Sequence, residues 1–342
     1  MRRLKYLVVI CVILGLFLTG CGSQTGAEEK EADKENTNTE TTEEQQDDKQ
    51  EEETESADNK SEPFKVGFAN VNDIYPYLVK VRTFVEKYGK EEGMEILVAD
   101  AAGDLNTQIG QMENFISQGV NAVIAVPADP SGIVPTVDML WENQIAFMTV
   151  CGDCEGKDIH VGSENYEAGK MQAEYLAETL PENAKVLYMH ADPVNQEYVD
   201  RRDGFMTLFE TRPDLELLSE QNSKNRTDMG MTVTEAWIQS YSEFDAIVAQ
   251  NDDSALGAIE ALKAANRLEG VTVVGLDGSD EALESIKNGE LSATAYQDAQ
   301  GQARALVNIC KDIRDGKNPD EIEDVTIPFK VITAENLAEV IE

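Results

Sequence analysis

Histidine occurs only twice in this chain of 342 residues, at His160 and His190, and cysteine five times. A structural zinc centre wants four such ligands, so metal chemistry has little to build on. The chain also lacks a Gly-x-Ser-x-Gly elbow, a Gly-x-x-x-x-Gly-Lys-Ser/Thr phosphate loop and a zinc-protease helix motif. No catalysis and no cofactor are expected. Basic residues are scarce, 28 against 66 acids, for a net charge of −38. So acidic a surface repels nucleic acid and anionic lipid headgroups. Acid pairs arise by chance in such a chain and carry no catalytic meaning. Long apolar runs are missing too. The one run that stands out, residues 6–17, is too short to span a bilayer comfortably.

That run follows Arg2, Arg3 and Lys5 and ends in Leu18-Thr19-Gly20-Cys21. A charged start, a short apolar stretch and a small-residue cleavage site read as an export signal over residues 1–20. Leu-Thr-Gly-Cys resembles the lipobox of bacterial lipoproteins, which implies cleavage before Cys21 and a diacylglycerol on its thiol; an ordinary signal with a chance cysteine is the alternative. Residues 22–62 hold sixteen acids and four lysines, a net charge of −12, with almost nothing apolar. Such a segment cannot offset its ordering entropy and is expected to be disordered. As a coil, it reaches on the order of 35 Å end to end. Residues 21–63 thus read as a lipidated tether holding a folded body off the outer face of a cell membrane, in keeping with a Gram-positive surface.

From Pro63 the composition turns globular. About 280 residues exceed what one core usually holds, so two domains are expected. Strands are predicted at 65–69, 95–99, 122–126, 146–150 and 160–162, with helices at 75–92, 105–118 and 133–143 between them. The alternation then restarts. Helices are predicted at 166–180, 199–210, 229–241, 254–265, 281–288 and 300–315. Strands are expected at 185–189, 215–219, 246–249, 272–276 and 293–296, and a last strand region near 325–331. This pattern predicts an α/β protein of two doubly wound parallel-sheet lobes. Sheets of this kind bind ligands at the carboxyl ends of their strands. The residues to read are therefore Asn70 to Asp73, Cys151 to Asp153, His190 to Asp192, Asn251-Asp252, Asp277-Gly278 and Gln297-Asp298.

At these strand ends the chain resembles the type I periplasmic sugar-binding proteins, the ribose and galactose group, over about residues 64–332. Ala249-Gln250-Asn251-Asp252 with Ala255-Leu256-Gly257-Ala258, Val274-Gly275-Leu276-Asp277-Gly278, His160 to Asn165 with Gly169, and Arg201-Arg202-Asp203-Gly204-Phe205 carry the likeness. The resemblance implies a three-strand hinge, with crossings near 164–166, 296–298 and 325–328. It implies an N-terminal lobe of 64–165 plus 298–326 and a C-terminal lobe of 166–297 plus 327–342. It also implies that Arg201, Asn251, Asp277 and Gln297 contact a sugar, and that Tyr75 and Tyr77 lie near a pair of aromatics packing on the sugar ring. The chemistry suits such a ligand: carboxylate accepts from hydroxyls, guanidinium donates, and amide does both. Other roles remain open at each position: helix capping or turn formation for Asn251 and Asp277, ion pairing for Arg201, helix-start packing for the tyrosines.

The departures from the family matter as much. Ribose binders carry an Asp-Arg pair where this chain has Cys151-Gly152, so two charged contacts are missing, although Asp153 could supply one. A second-lobe position usually aromatic is Asn225. These changes put ribose itself in doubt and leave another aldose, a polyol such as inositol, or an amino or deoxy sugar open. Cys151 and Cys154 read as a loop-stiffening disulfide or as two free thiols at a pocket mouth, and Cys310 as a small buried apolar residue. Trp141 and Trp237 lie in amphipathic helices and read as core. The resulting expectation is a monomeric, lipid-anchored substrate-binding protein that delivers a small neutral sugar or polyol to an ABC permease. A ligand-sensing co-receptor for a membrane kinase and an exported enzyme are the alternatives.

Overall fold

The structure, a computed structural model, describes residues 62–192 and 195–341. The export signal, Cys21 and the acidic tether lie outside the described residues. Among the described residues no helix is long and apolar enough to cross a membrane.

The first five strands are β1 (Lys65–Asn70), β2 (Glu95–Asp100), β3 (Ala122–Ala125), β4 (Ala146–Val150) and β5 (Ile159–Gly162). Between the first four run α1 (Pro76–Glu91), α2 (Leu105–Ser117) and α3 (Val134–Glu142). The chain then enters α4 (Asn165–Thr179) and a second series: β6 (Lys185–His190), α5 (Gln196–Thr211), β7 (Glu216–Asn222), α6 (Thr227–Ser240), β8 (Ala246–Ala249), α7 (Asp252–Ala264), β9 (Thr272–Asp277), α8 (Asp280–Lys287) and β10 (Ala293–Tyr296). It ends with α9 (Ala299–Arg314), β11 (Val325–Thr326) and β12 (Lys330–Thr333).

Two six-stranded sheets result, in the orders β11-β5-β4-β3-β1-β2 and β12-β10-β9-β8-β6-β7. The first is parallel throughout. The second is parallel except for β12, which runs antiparallel to β10. The doubly wound parallel lobes are thus as expected, with one antiparallel edge strand added to the second. The strand region near 325–331 divides in two: β11 closes the first sheet, and residues 327–329 carry the chain to the second, where it arrives heading the other way. The chain also passes between the sheets at 163–164 and at 297–298, so three segments join the lobes.

Burial explains why these strands form. The central β3 (Ala-Val-Ile-Ala) and β8 (Ala-Ile-Val-Ala) are wholly buried, as parallel strands covered on both faces must be. In the first lobe α1 and α9 cover one face with Val81, Val85, Leu306 and Cys310. On the other, α2 and α3 supply Met112, Phe115, Val137 and Leu140. The second lobe is layered likewise, with Leu176, Phe205 and Leu208 on one face and Trp237, Ile259 and Leu262 on the other. Helices α4 and α5 cross at backbone contact. A Cβ added to Gly169 would fall 1.9 Å from the carbonyl oxygen of Arg201, and one added to Gly204 would fall 2.0 Å from that of Tyr166. Larger residues would push the helices apart and move the side chains that α5 presents.

Candidate functional site

Both sheets reverse their winding beside the strand that starts each series. The first does so between β1 and β3, the second between β6 and β8. Strand ends splay at such points and leave a crevice. The two crevices face each other here and form one cavity of about 280 Å³. Its walls include Asn72, Tyr75, Tyr77, Cys151 and Gly152 from the first lobe. The second lobe supplies Asp192, Glu197, Tyr198, Arg201, Asn225, Asn251, Asp253 and Asp277, and Gln297 comes from one of the connecting segments.

Arg201 is the central cation, 7% exposed. Its Nε donates to Asn165 Oδ1 at 2.8 Å and its Nη1 to the carbonyl of Gln250 at 3.0 Å. Asp277 Oδ1 lies 4.0 Å from Nη1. No described residue accepts from Nη2, which leaves a donor for a guest. Asp277 holds a left-handed φ of 118°, a conformation costing about 1–3 kcal/mol for a residue with a side chain. Its carbonyl accepts from the Gln297 N–H at 3.0 Å, which fixes the turn. Burial raises the Asp277 carboxyl well above the usual range; Arg201 pulls it back, while Asp252 and Asp253 push it further up.

Asp252 stands behind the cavity. It accepts from Thr294 Oγ1 at 2.7 Å and from the Ser279 N–H at 2.7 Å, tying α7 to β10 and to the start of α8. Burial raises it to about 7. Asn251 does two jobs: its Oδ1 caps α7 through the Ser254 N–H, and its Nδ2 donates to the Asn225 carbonyl. Tyr77 donates its hydroxyl to Gln302 Oε1 at 3.0 Å, and Gln302 Nε2 reaches Ser163 Oγ on a connecting segment. Burial lifts the Tyr77 phenol well above its ordinary value.

Buried glutamines fasten the splayed strands. At the first reversal Gln108 Nε2 donates to the carbonyls of Ala69 and Val126, while its Oε1 accepts from the Ala128 N–H. At the second, Gln250 Oε1 accepts from the Ala191 N–H and its Nε2 donates to Tyr188 Oη and the Tyr198 carbonyl. Gln172 Nε2 joins the carbonyls of Ala249 and Gly275. Strands that diverge cannot pair with each other, so a long amide reaches both.

Of the seven residues singled out in the sequence, Tyr75, Tyr77, Arg201, Asn251, Asp277 and Gln297 meet in this cavity. Asp153 does not line it. Its carboxylate turns toward Lys157 Nζ at 2.6 Å and accepts from Thr149 Oγ1 and the Cys154 N–H. The local pairing outcompetes an approach to the cavity. Cys151 and Cys154 are both free. Cys151 packs with the α1/α9 face of the sheet and Cys154 with the α2/α3 face, so the thiols are directed apart. Only Cys151 reaches the cavity. Burial raises its thiol well above the ordinary value.

Sequence reasoning missed Glu197, Tyr198, Lys224 and Asp253 as lining residues. Helix α5 begins at Gln196 rather than 199. Glu197 and Tyr198 therefore lie four and three residues before Arg201, on its helix face. That spacing was the available signal. Asp253 likewise follows Asn251 in the first turn of α7, which starts at Asp252 rather than 254.

The profile of a protein family described as a periplasmic binding protein domain matches residues 66–318. The ribose import binding protein RbsB of Bacillus subtilis is 29% identical over 280 residues, covering 81% of this chain and 90% of that protein. An ABC transporter solute-binding protein of Bacillus halodurans, solved with bound myo-inositol, superposes with a TM-score of 0.75 at 31% identity, covering 82% of this chain and 98% of the other. The myo-inositol-binding protein of Caulobacter, also solved with myo-inositol, gives a TM-score of 0.74 at 29% identity, with coverage of 81% and 95%. By their names all three are binding proteins.

Proposed function

As the chain belongs to the periplasmic binding protein family, we propose that it is the solute-binding component of an ABC importer, taking up one small sugar or polyol between its lobes. The observation that carries this reading is the convergence of Arg201, Asn251, Asp277 and Gln297 with Tyr75 and Tyr77 on a single cavity. These groups offer donors, acceptors and aromatic faces, the partners that a hydroxyl-bearing ring needs.

Residues 163–164, 297–298 and 327–329 act as the hinge. Among the described residues few direct bonds bridge the lobes outside it. Lys80 Nζ on α1 meets Asp280 Oδ1 at the start of α8 at 2.7 Å, but Asp280 is 81% exposed. So exposed a pair contributes at most about 1 kcal/mol. The closed arrangement therefore depends on a ligand that touches both lobes, and its differential affinity sets the hinge equilibrium. A membrane permease then reads the closed shape and receives the solute.

The protein works as an exported monomer on the outer face of a cell membrane, held by lipid on Cys21. Support for the anchor is Leu18-Thr19-Gly20-Cys21 directly after the apolar run of residues 6–17. Cys21→Ala is expected to release the protein from the membrane fraction; retention of the variant there would count against the anchor. For the ligand, native mass spectrometry of the purified protein should reveal a bound small polyol. A melting temperature that no member of a sugar and polyol panel raises would argue against the reading.

A further inference from the structure

The cavity carries more carboxylates than cations. Asp192, Glu197, Asp253 and Asp277 line it, against Arg201 and Lys224. Arg201 is largely committed to Asn165, Gln250 and Asp277. Asp192 accepts from the Asn222 side-chain amide. Glu197 and Asp253 form no hydrogen bond or ion pair with another side chain among the described residues. One further acceptor stands beside them: Asn225, 7% exposed, lines the cavity with its Oδ1 buried and unpartnered.

We propose, building on the function above, that the ligand is an amine-bearing polyol, an amino sugar or an aminated cyclitol, and that its ammonium group pairs with Glu197. A hydroxyl can donate to a carboxylate but brings no charge to offset it. An ammonium brings three donors and no acceptor. The placement at Glu197 follows from shape. Glu197 projects from the second lobe toward the first, where Gly152 has no side chain; a Cβ added there would lie 3.8 Å from Glu197 Oε1. Glu197 Oε1 thus comes up against the first lobe at a glycine, and among the described residues no cationic side chain pairs with it. Burial raises the Glu197 carboxyl above its ordinary value, with Arg201 the only cation acting against this. A bound ammonium would relieve the cost of holding that charge out of water, and would do so only with the lobes together.

The test is titration calorimetry at pH 7 on the full-length protein in detergent, with matched pairs: D-glucose and D-glucosamine, D-galactose and D-galactosamine, myo-inositol and an inositol with one hydroxyl replaced by an amino group. At least one aminated member is expected to bind about tenfold or more tightly than its hydroxyl parent. Glu197→Gln should weaken the aminated ligand about tenfold more than the parent. Gly152→Lys, which sets a cation opposite Glu197, should give the same differential loss. The inference is overturned if the parents bind as well as their amines, or if the amine preference survives both variants. Binding of hydroxyl parents alone overturns this inference and leaves the proposed function standing. Binding of neither class overturns both.

Discussion

Arg201→Met separates the structural work of the guanidinium from its work on a ligand. Methionine keeps most of the apolar stem and removes every donor. Two acceptors then lose their partners, the half-buried Asn165 Oδ1 and the buried Gln250 carbonyl. Each buried acceptor left unpaired costs about 1–3 kcal/mol. Removing a cation that had been taken out of water offsets part of this. The net loss of stability should be about 2–4 kcal/mol, seen as a fall in melting temperature of roughly 5–10 °C. Ligand affinity should fall as well. One charge-assisted bond, from the free Nη2, contributes about 1.5–3 kcal/mol, so the dissociation constant should rise roughly 10- to 150-fold. Asp277 would also lose the one cation that lowers its carboxyl. Scanning calorimetry measures the first effect and isothermal titration the second. A variant that melts within a degree of the wild type and binds within threefold of it would show that the guanidinium does neither job.

Gln108→Leu should cost about 2–3 kcal/mol in urea unfolding, because the Val126 carbonyl and the Ala128 N–H lose their side-chain partner; an unchanged midpoint would show that the strand reversal needs no fastening. Asp253, raised by burial and by Glu281 to about 6, binds its proton more tightly in the folded protein than in the unfolded chain. Stability relative to Asp253→Asn should therefore be constant below about pH 4, fall between about pH 4 and pH 6, and stay lower above that; parallel stability curves across this range would contradict the assignment. The thiols of Cys154 and Cys310 are both pushed up to about 12 by burial. A disulfide-exchange reagent at pH 8 should leave both unmodified until denaturant is added, and rapid labelling of either in the native protein would contradict their burial.

The fold was legible because both lobes repeat one strand-helix grammar with buried strands, such as Ala-Val-Ile-Ala and Ala-Ile-Val-Ala, that cannot stand in any other layer. The antiparallel β12 was not, since a run such as Lys330–Thr333 carries no mark of direction. The cavity was legible at Asn251, Asp277 and Gln297, where polar residues follow buried strands directly. It was less so where chain direction alternates side chains between front and back: Asn251 faces the cavity while Asp252 turns behind it to Thr294. Asp153 looked available by position, and Lys157 four residues on decided otherwise. Glu197 and Tyr198 were hidden by a helix start misplaced by three residues. Gln108, Gln172 and Gln250 were invisible, because their role depends on which strands diverge, and only topology reveals that.

A crystal structure of the protein loaded with whichever polyol calorimetry identifies would show whether one solute is held through both sheets at once. The solute is predicted to touch Arg201 and Asp277 on one side and Tyr75 or Tyr77 on the other, with Gln297 between them. A solute bound to one lobe only, or outside this cavity altogether, would rule out binding between the two sheets.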